Sequence, residues 1–158
     1  MLKYSIDASA ILDAWERYYP IDLFPSFWNR FEEMIKNGVG MAIELIEREL
    51  SKKDDRCTKW FKSNNLYNFF YEIDDKIQDS VSKILSNQNY QRLVEDRKGT
   101  FGADPFVIAF AQVKSLIVVT GEKPSNNLIK PKIPDVCKDI GIECINIIEL
   151  MRIEEWIF

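Results

Sequence analysis

The hydrophobic pattern of this chain switches period repeatedly, and that switching restricts the fold more than any other feature. Short apolar runs at 3–7 ("KYSID"), 39–43 ("VGMAI"), 115–120 ("SLIVVT") and 143–147 ("ECINI") read as strands. Between them the apolar positions fall at helical spacing. Ala8, Ile11, Leu12, Trp15, Tyr18 and Tyr19 form one stripe. Phe24, Phe27, Trp28, Phe31, Met34 and Ile35 form a second, which stops at "KNG", where Gly38 supplies a C-terminal signal. Further helices are expected through "ELIERELSKK", "ADPFVIAFAQVK" (103–114) and "DVCKDIG" (135–141). Strands that alternate with helices build a mostly parallel sheet covered on both faces. The expected fold is therefore a three-layer α/β/α domain with about four to five strands.

Residues 54–100 interrupt the alternation. They are polar and helical, with aromatic insertions such as "CTKWF" and "LYNFFYEIDDKIQDSVSKIL", and they carry little strand signal. They read as a helical insertion or cap between two halves of the sheet. A chain of 158 residues that is 46% hydrophobic can bury one sizeable core, so residues 1–158 are read as a single domain.

The composition then removes whole classes of chemistry. There is no histidine, so Ser-His-Asp and Cys-His nucleophiles, imidazole bases and His-ligated metals are excluded. Cys57, Cys137 and Cys144 show no CxxC spacing and read as reduced thiols. What remains for an enzyme is carboxylate chemistry with a hard cation, for which 25 Asp and Glu supply candidate oxygen ligands. A net charge of −4 argues against binding nucleic acid through overall charge and leaves only a local basic surface for phosphates. No run of about 18 apolar residues is present, as a membrane span requires. The N-terminus lacks a long apolar stretch and a cleavage pattern, and the expected location is cytoplasmic.

In open parallel sheets, ligands bind outside the carboxyl ends of the strands. Asp7 ends the first strand and Glu122 follows the strand at 115–120, while Asp104 precedes Pro105 at a helix start. Asp7 and Asp104 each have an ordinary alternative as a helix cap. Glu122 is followed by Pro124, Ser125 and two asparagines, a loop in which no helix obviously begins. In the helix at 44–52, Glu44 and Arg48 fall on the solvent side as an i,i+4 pair, whereas Glu49 flanks the apolar stripe of Ile43, Ile46 and Leu50. Crowded carboxylates repel one another, and one rim shared by Asp7, Glu49, Asp104 and Glu122 makes most sense around a divalent cation.

"YSIDASAIL", "EREL", "ADPFVIAFA" and "VVTGE", in this order, resemble the four acidic motifs of PIN-domain nucleases. "WERYYPIDLFPSFW" and "KPKIPDVCKDIGIECIN" further resemble a bacterial and archaeal branch of that family. The resemblance implies metal-dependent hydrolysis of RNA phosphodiester bonds, with Mg²⁺ or Mn²⁺ held by Asp7, Glu49, Asp104 and Glu122. At the last of these positions PIN proteins more often carry aspartate; the longer glutamate would reach a metal through water or shift the preferred metal. Ser9 and Thr120 match hydroxyl positions beside the acids, with helix capping and a strand-end hydrogen bond as their ordinary alternatives.

Arg97, Lys98 and Lys123, with Lys130 and Lys132, are candidates to hold RNA phosphates or are ordinary loop charge. Trp60, Phe61, Tyr67, Phe69, Phe70 and Tyr71 either stack bases or pack a core. Two readings stand. One is a ribonuclease, as the toxin of a toxin–antitoxin pair with an antitoxin partner, for which the family also implies a homodimer. The other is a noncatalytic module of the same fold that binds RNA or protein.

Overall fold

A computed structural model describes residues 1–91, 93 and 102–158. The chain runs through β1 (Tyr4–Ile6), α1 (Ala8–Asp13), a π-helical turn (Ala14–Tyr18), α2 (Pro25–Lys36), β2 (Gly40–Ile43), α3 (Leu45–Lys53) and α4 (Asp55–Ser63). It continues through β3 (Phe70–Tyr71), α5 (Asp75–Ser86), α6 (Asp104–Lys114), β4 (Ile117–Val119), α7 (Ile133–Ile140), β5 (Cys144–Ile145) and α8 (Ile147–Ile153).

Among the described residues the sheet has five strands, all parallel, in the order β3-β2-β1-β4-β5. Helices flank the sheet to give the expected three layers. The central strands β1, β2 and β4 are mostly buried, which explains their largely apolar character, since a parallel sheet has no solvent face, while β3 and β5 at the edges are partly buried.

The order has one consequence for function. From β1 the chain moves outward through β2 to β3, then crosses back to β4 on the other side of β1 and on to β5. The direction of winding therefore reverses between β1 and β4, which is where an open parallel sheet leaves a crevice at its carboxyl end. In the register of this pair Ile6 lies opposite Val119, so Asp7 and Thr120 leave the sheet side by side.

The middle of the chain differs from the helical cap expected of it. Residues 70–71 form β3, which pairs in parallel with β2 at the sheet edge. This strand is two residues long within an aromatic run, and its pairing is set by distant β2 rather than by a local period. The aromatics of this region mostly pack the core. Phe61 and Phe69 are buried and stacked with centroids 4.9 Å apart, and Tyr71 stacks on Phe110 at 4.7 Å. Tyr67 alone of the six candidate stacking residues is largely exposed.

On the side of α2 and α4, Phe27, Trp28, Phe31, Trp60 and Phe61 form a continuous series of edge-to-face and stacked ring pairs. The Trp28 indole N–H donates to the Tyr19 carbonyl at 2.7 Å, so its one polar atom is satisfied inside this layer. The end of α2 follows the signal at "KNG". Gly38 adopts φ +67, its N–H reaches Ile35 O at 2.9 Å and the Val39 N–H reaches Met34 O at 3.1 Å, which turns the chain into β2. Phe24, expected on the apolar face, precedes the helix and is partly exposed, because Pro25 occupies the first helical position.

Candidate active site

Asp7 occupies the position before α1, yet its side chain makes no cap to that helix. The carboxylate is instead buried, at 1% exposure, and Oδ2 receives the Ser9 hydroxyl at 2.5 Å and the Thr120 hydroxyl at 2.9 Å. Backbone amides fix the direction of both bonds. The Gly121 N–H donates to Ser9 Oγ at 2.9 Å and the Glu122 N–H donates to Thr120 Oγ1 at 3.1 Å. A hydroxyl that accepts from an amide on one side turns its single proton to the other, and both protons here face Asp7. Ser9 and Thr120 thus clamp one oxygen of the carboxylate and tie the start of α1 to the end of β4.

Gly121 suits this closeness. A Cβ on it would press on the Asp13 carboxylate and stand 3.0 Å from the Ser9 carbonyl oxygen, so the Asp13 side chain would have to turn away and the start of α1 to yield slightly. Asp13 therefore lies against the strand end, a carboxylate that sequence reasoning did not single out. Its signal was its place four residues after Ser9, one helical turn along the same face. Arg17 stands 3.9 Å from Asp13, an open ion pair.

Asp104 is the first residue of α6, not its cap; Ala103 holds the cap position and Pro105 follows. The Asp104 side chain is buried, with Oδ1 sealed from solvent. Its helix packs across β1, β2 and β4, and the Ser5 hydroxyl donates to Val107 O at 3.0 Å, which joins the first turn of α6 to β1 two residues before Asp7. Two carboxylates are therefore buried on elements pinned to the central strand. Burial of a charged carboxylate is costly unless something compensates it.

The remaining two candidate acids are placed differently. Glu49 is half-buried on α3, which packs against α1. Glu122 is half-buried, and its Oε2 accepts from the N–H of Ile133 at 3.1 Å, the first residue of α7. The loop glutamate expected to have no helix to cap thus caps one eleven residues away, with its charge at the favourable end of the helix dipole. Glu44, expected on the solvent side, is exposed and accepts from the Ile73 N–H at 3.0 Å, bracing the end of β3.

Among the described residues, no three Asp, Glu or Cys side chains stand together as a ready metal cage. The donor chemistry nevertheless suits a magnesium-like ion, which keeps several waters and needs only one or two protein carboxylates beside substrate phosphate. Buried Asp7 and Asp104 fit that need best. Thiol chemistry has no support: among the described residues all three cysteines are free, and burial pushes the Cys57 thiol up to about 12, far from a reactive thiolate.

The loop that follows Glu122 is held by a separate carboxylate. Asp135 accepts from the backbone N–H groups of Ser125, Asn126 and Lys132 at 2.8–2.9 Å and from the Ser125 hydroxyl at 2.7 Å. Burial alone would raise its pKa, but the converging N–H donors outweigh burial and hold the carboxyl below its usual range. Lys123, Lys130 and Lys132 are exposed on this loop, and Arg97 and Lys98 lie outside the described residues.

Beside the rim opens a cavity of about 470 Å³. Thr120, Gly121 and Glu122 belong to its wall, together with Tyr18, Tyr19 and Asn146. Sequence reasoning assigned Tyr18 and Tyr19 to an apolar helix face and did not mark Asn146. Among the described residues, no helix is long and apolar enough to cross a membrane.

A family model described as a domain of unknown function (DUF4411) matches residues 4–158. No curated protein matches the chain.

Proposed function

The chain belongs to the DUF4411 family, and from the chemistry of the rim we propose that it is a divalent-metal-dependent ribonuclease that hydrolyses RNA phosphodiester bonds. One observation carries this reading. Asp7 is buried at the switch point of the sheet, where it caps nothing and is clamped by two hydroxyls whose protons are aimed at it. A carboxylate kept at that cost, in the crevice where such folds bind ligands, is explained by a cation and a phosphate more simply than by stability.

Asp7 and Asp104 would hold Mg²⁺ or Mn²⁺, with Glu49 and Glu122 contributing from the flanking elements. The ion supplies a bound water of lowered pKa and positive charge beside the phosphate. Ser9 and Thr120 act as positioning residues, since they fix one Asp7 oxygen. Lys123, exposed next to Glu122, balances phosphate charge at the edge of an otherwise acidic rim.

Purified protein is expected to cleave single-stranded RNA in Mn²⁺ or Mg²⁺ and to stop when EDTA is added. Asp7→Asn is expected to cut the rate by about 100-fold or more, the scale on which loss of a main electrostatic group acts. Equal RNA profiles for wild type and variant would refute the reading.

The second reading, a noncatalytic RNA- or protein-binding module, draws support from Glu122, which already serves α7 as a cap, and from the lack of a ready three-ligand cage among the described residues. The toxin role adds a partner. Co-expression with a neighbouring small reading frame tests it, with suppressed cleavage expected and unaffected cleavage counting against it.

A further inference from the structure

We propose that the cavity beside the rim receives one nucleobase of the RNA, that of the nucleotide next to the phosphate held at Asp7. The proposal rests on the nuclease reading for the position of the phosphate, but the chemistry of the cavity argues for a base by itself.

The first argument is continuity. Thr120 clamps Asp7, and the same Thr120, with Gly121 and Glu122, forms one wall of the cavity. A phosphate at the rim therefore leaves the adjoining nucleotide at the cavity mouth.

The second argument is the pair of tyrosines that also lines the cavity. Here α1 loosens into a π-helical turn that the Tyr19 N–H closes on Ala14 O at 2.8 Å, and Tyr18 and Tyr19 both reach the cavity. Such turns occur often at functional sites. Tyr19 is fixed by stacking on Phe27 at 4.6 Å, whereas Tyr18 is 54% exposed, an aromatic face available for a second ring. Stacking on exposed aromatics is how single-stranded nucleic acid is gripped.

The third argument is polarity. Asn146, in the lining, has its Oδ1 engaged by the Glu149 N–H at 2.9 Å, which leaves its Nδ2 as the donor end of the amide. Asp13, Glu122 and Glu149 make the remainder acceptor-rich, with Lys123 the one cation in the lining among the described residues. An acidic peptide or a bare phosphate is disfavoured there. A flat, neutral ring with both donors and acceptors suits it.

The test is a titration of the full-length protein with the four nucleoside 5′-monophosphates and with ribose 5-phosphate, followed by ligand-observed NMR without metal. At least one nucleotide is expected to bind saturably and ribose 5-phosphate not to bind. Tyr18→Ala should weaken nucleotide binding about tenfold, the effect of removing one base–aromatic stack. Ile148→Trp, which places a ring in the cavity from its half-exposed wall, should block binding while the thermal midpoint stays unchanged. Equal binding of ribose 5-phosphate, or nucleotide binding indifferent to both substitutions, would overturn the proposal. Failure of the nuclease reading appears elsewhere, as wild-type protein that binds nucleotide but leaves RNA uncut in Mn²⁺.

Discussion

The two sides of this molecule spend buried volume in opposite ways. Beneath α2 and α4, Phe27, Trp28, Phe31, Phe61 and Phe69 fill the interior with rings whose one polar atom, the Trp28 indole nitrogen, is satisfied locally. At the carboxyl end of β1 and β4, Asp7 and Thr120 are buried just as deeply, and Asp104 is buried at the start of α6. The aromatic layer is what a chain does to be stable; the rim is what it does at the expense of stability. The difference predicts that substitutions on the two sides fail in different assays.

The largest effect belongs to the aromatic layer. Phe31→Ala removes a ring that touches Phe27, Trp28, Phe61 and Phe69, and should destabilise the fold by about 3–5 kcal/mol, measured by urea denaturation. Any catalytic loss should follow the folded fraction. A stability change under about 1 kcal/mol would mean that the layer is not the main support of this face.

Asp7→Asn should behave in reverse. RNA cleavage falls as given above, while metal-free stability stays level or rises by about 1 kcal/mol, since a buried charge is removed and an acceptor for the hydroxyls is kept. A strongly destabilised Asp7→Asn protein would make the rim an ordinary part of the core.

Asp135 lies between the extremes, a carboxylate whose task is structural. Asp135→Ala leaves three backbone N–H donors and the Ser125 hydroxyl without their acceptor, and should cost about 1–3 kcal/mol in thermal or chemical unfolding. Its carboxyl is held below the usual range, so its contribution is complete above the unfolded-chain value of about 3.9 and is lost as pH falls through the lower folded value. Wild type and Asp135→Ala should therefore converge in stability at strongly acidic pH. A gap independent of pH would deny that the charge matters.

The smallest effect separates the two roles of Glu122. Glu122→Gln keeps an oxygen for the Ile133 N–H and should shift stability by no more than about 0.5 kcal/mol. Reduced Mn²⁺-dependent cleavage in this folded variant would show that the charge serves the site. Unchanged cleavage would leave Glu122 a helix cap.

How much of this was legible depended on whether the signal was local. The strand before Asp7 and the helix after Asp104 were readable because burial on both faces leaves a continuous apolar run, and Pro105 marks a helix start. The layered fold followed from alternation alone. β3 was hidden because two aromatic residues have no period, and α8 because the strand signal at 143–147 ran into its first turn, although Asn146 and Glu149 form a capping box there. In the site, the acids at strand ends could be nominated, but their partners could not. Ser9 and Thr120 meet only through the β1–β4 register, Glu122 meets Ile133 only after the loop folds back, and Tyr18 and Tyr19 reach the cavity beside a π-helical turn that no local period announces.

The central claim is that the buried carboxylates of the rim exist to bind a cation. Calorimetric titration of Mn²⁺ into the full-length protein tests it most directly, with Asp7→Asn measured alongside at equal concentration. The account predicts a saturable isotherm for wild type that disappears in the variant while the fold, followed by circular dichroism, is retained. Indistinguishable isotherms for the two proteins would contradict it.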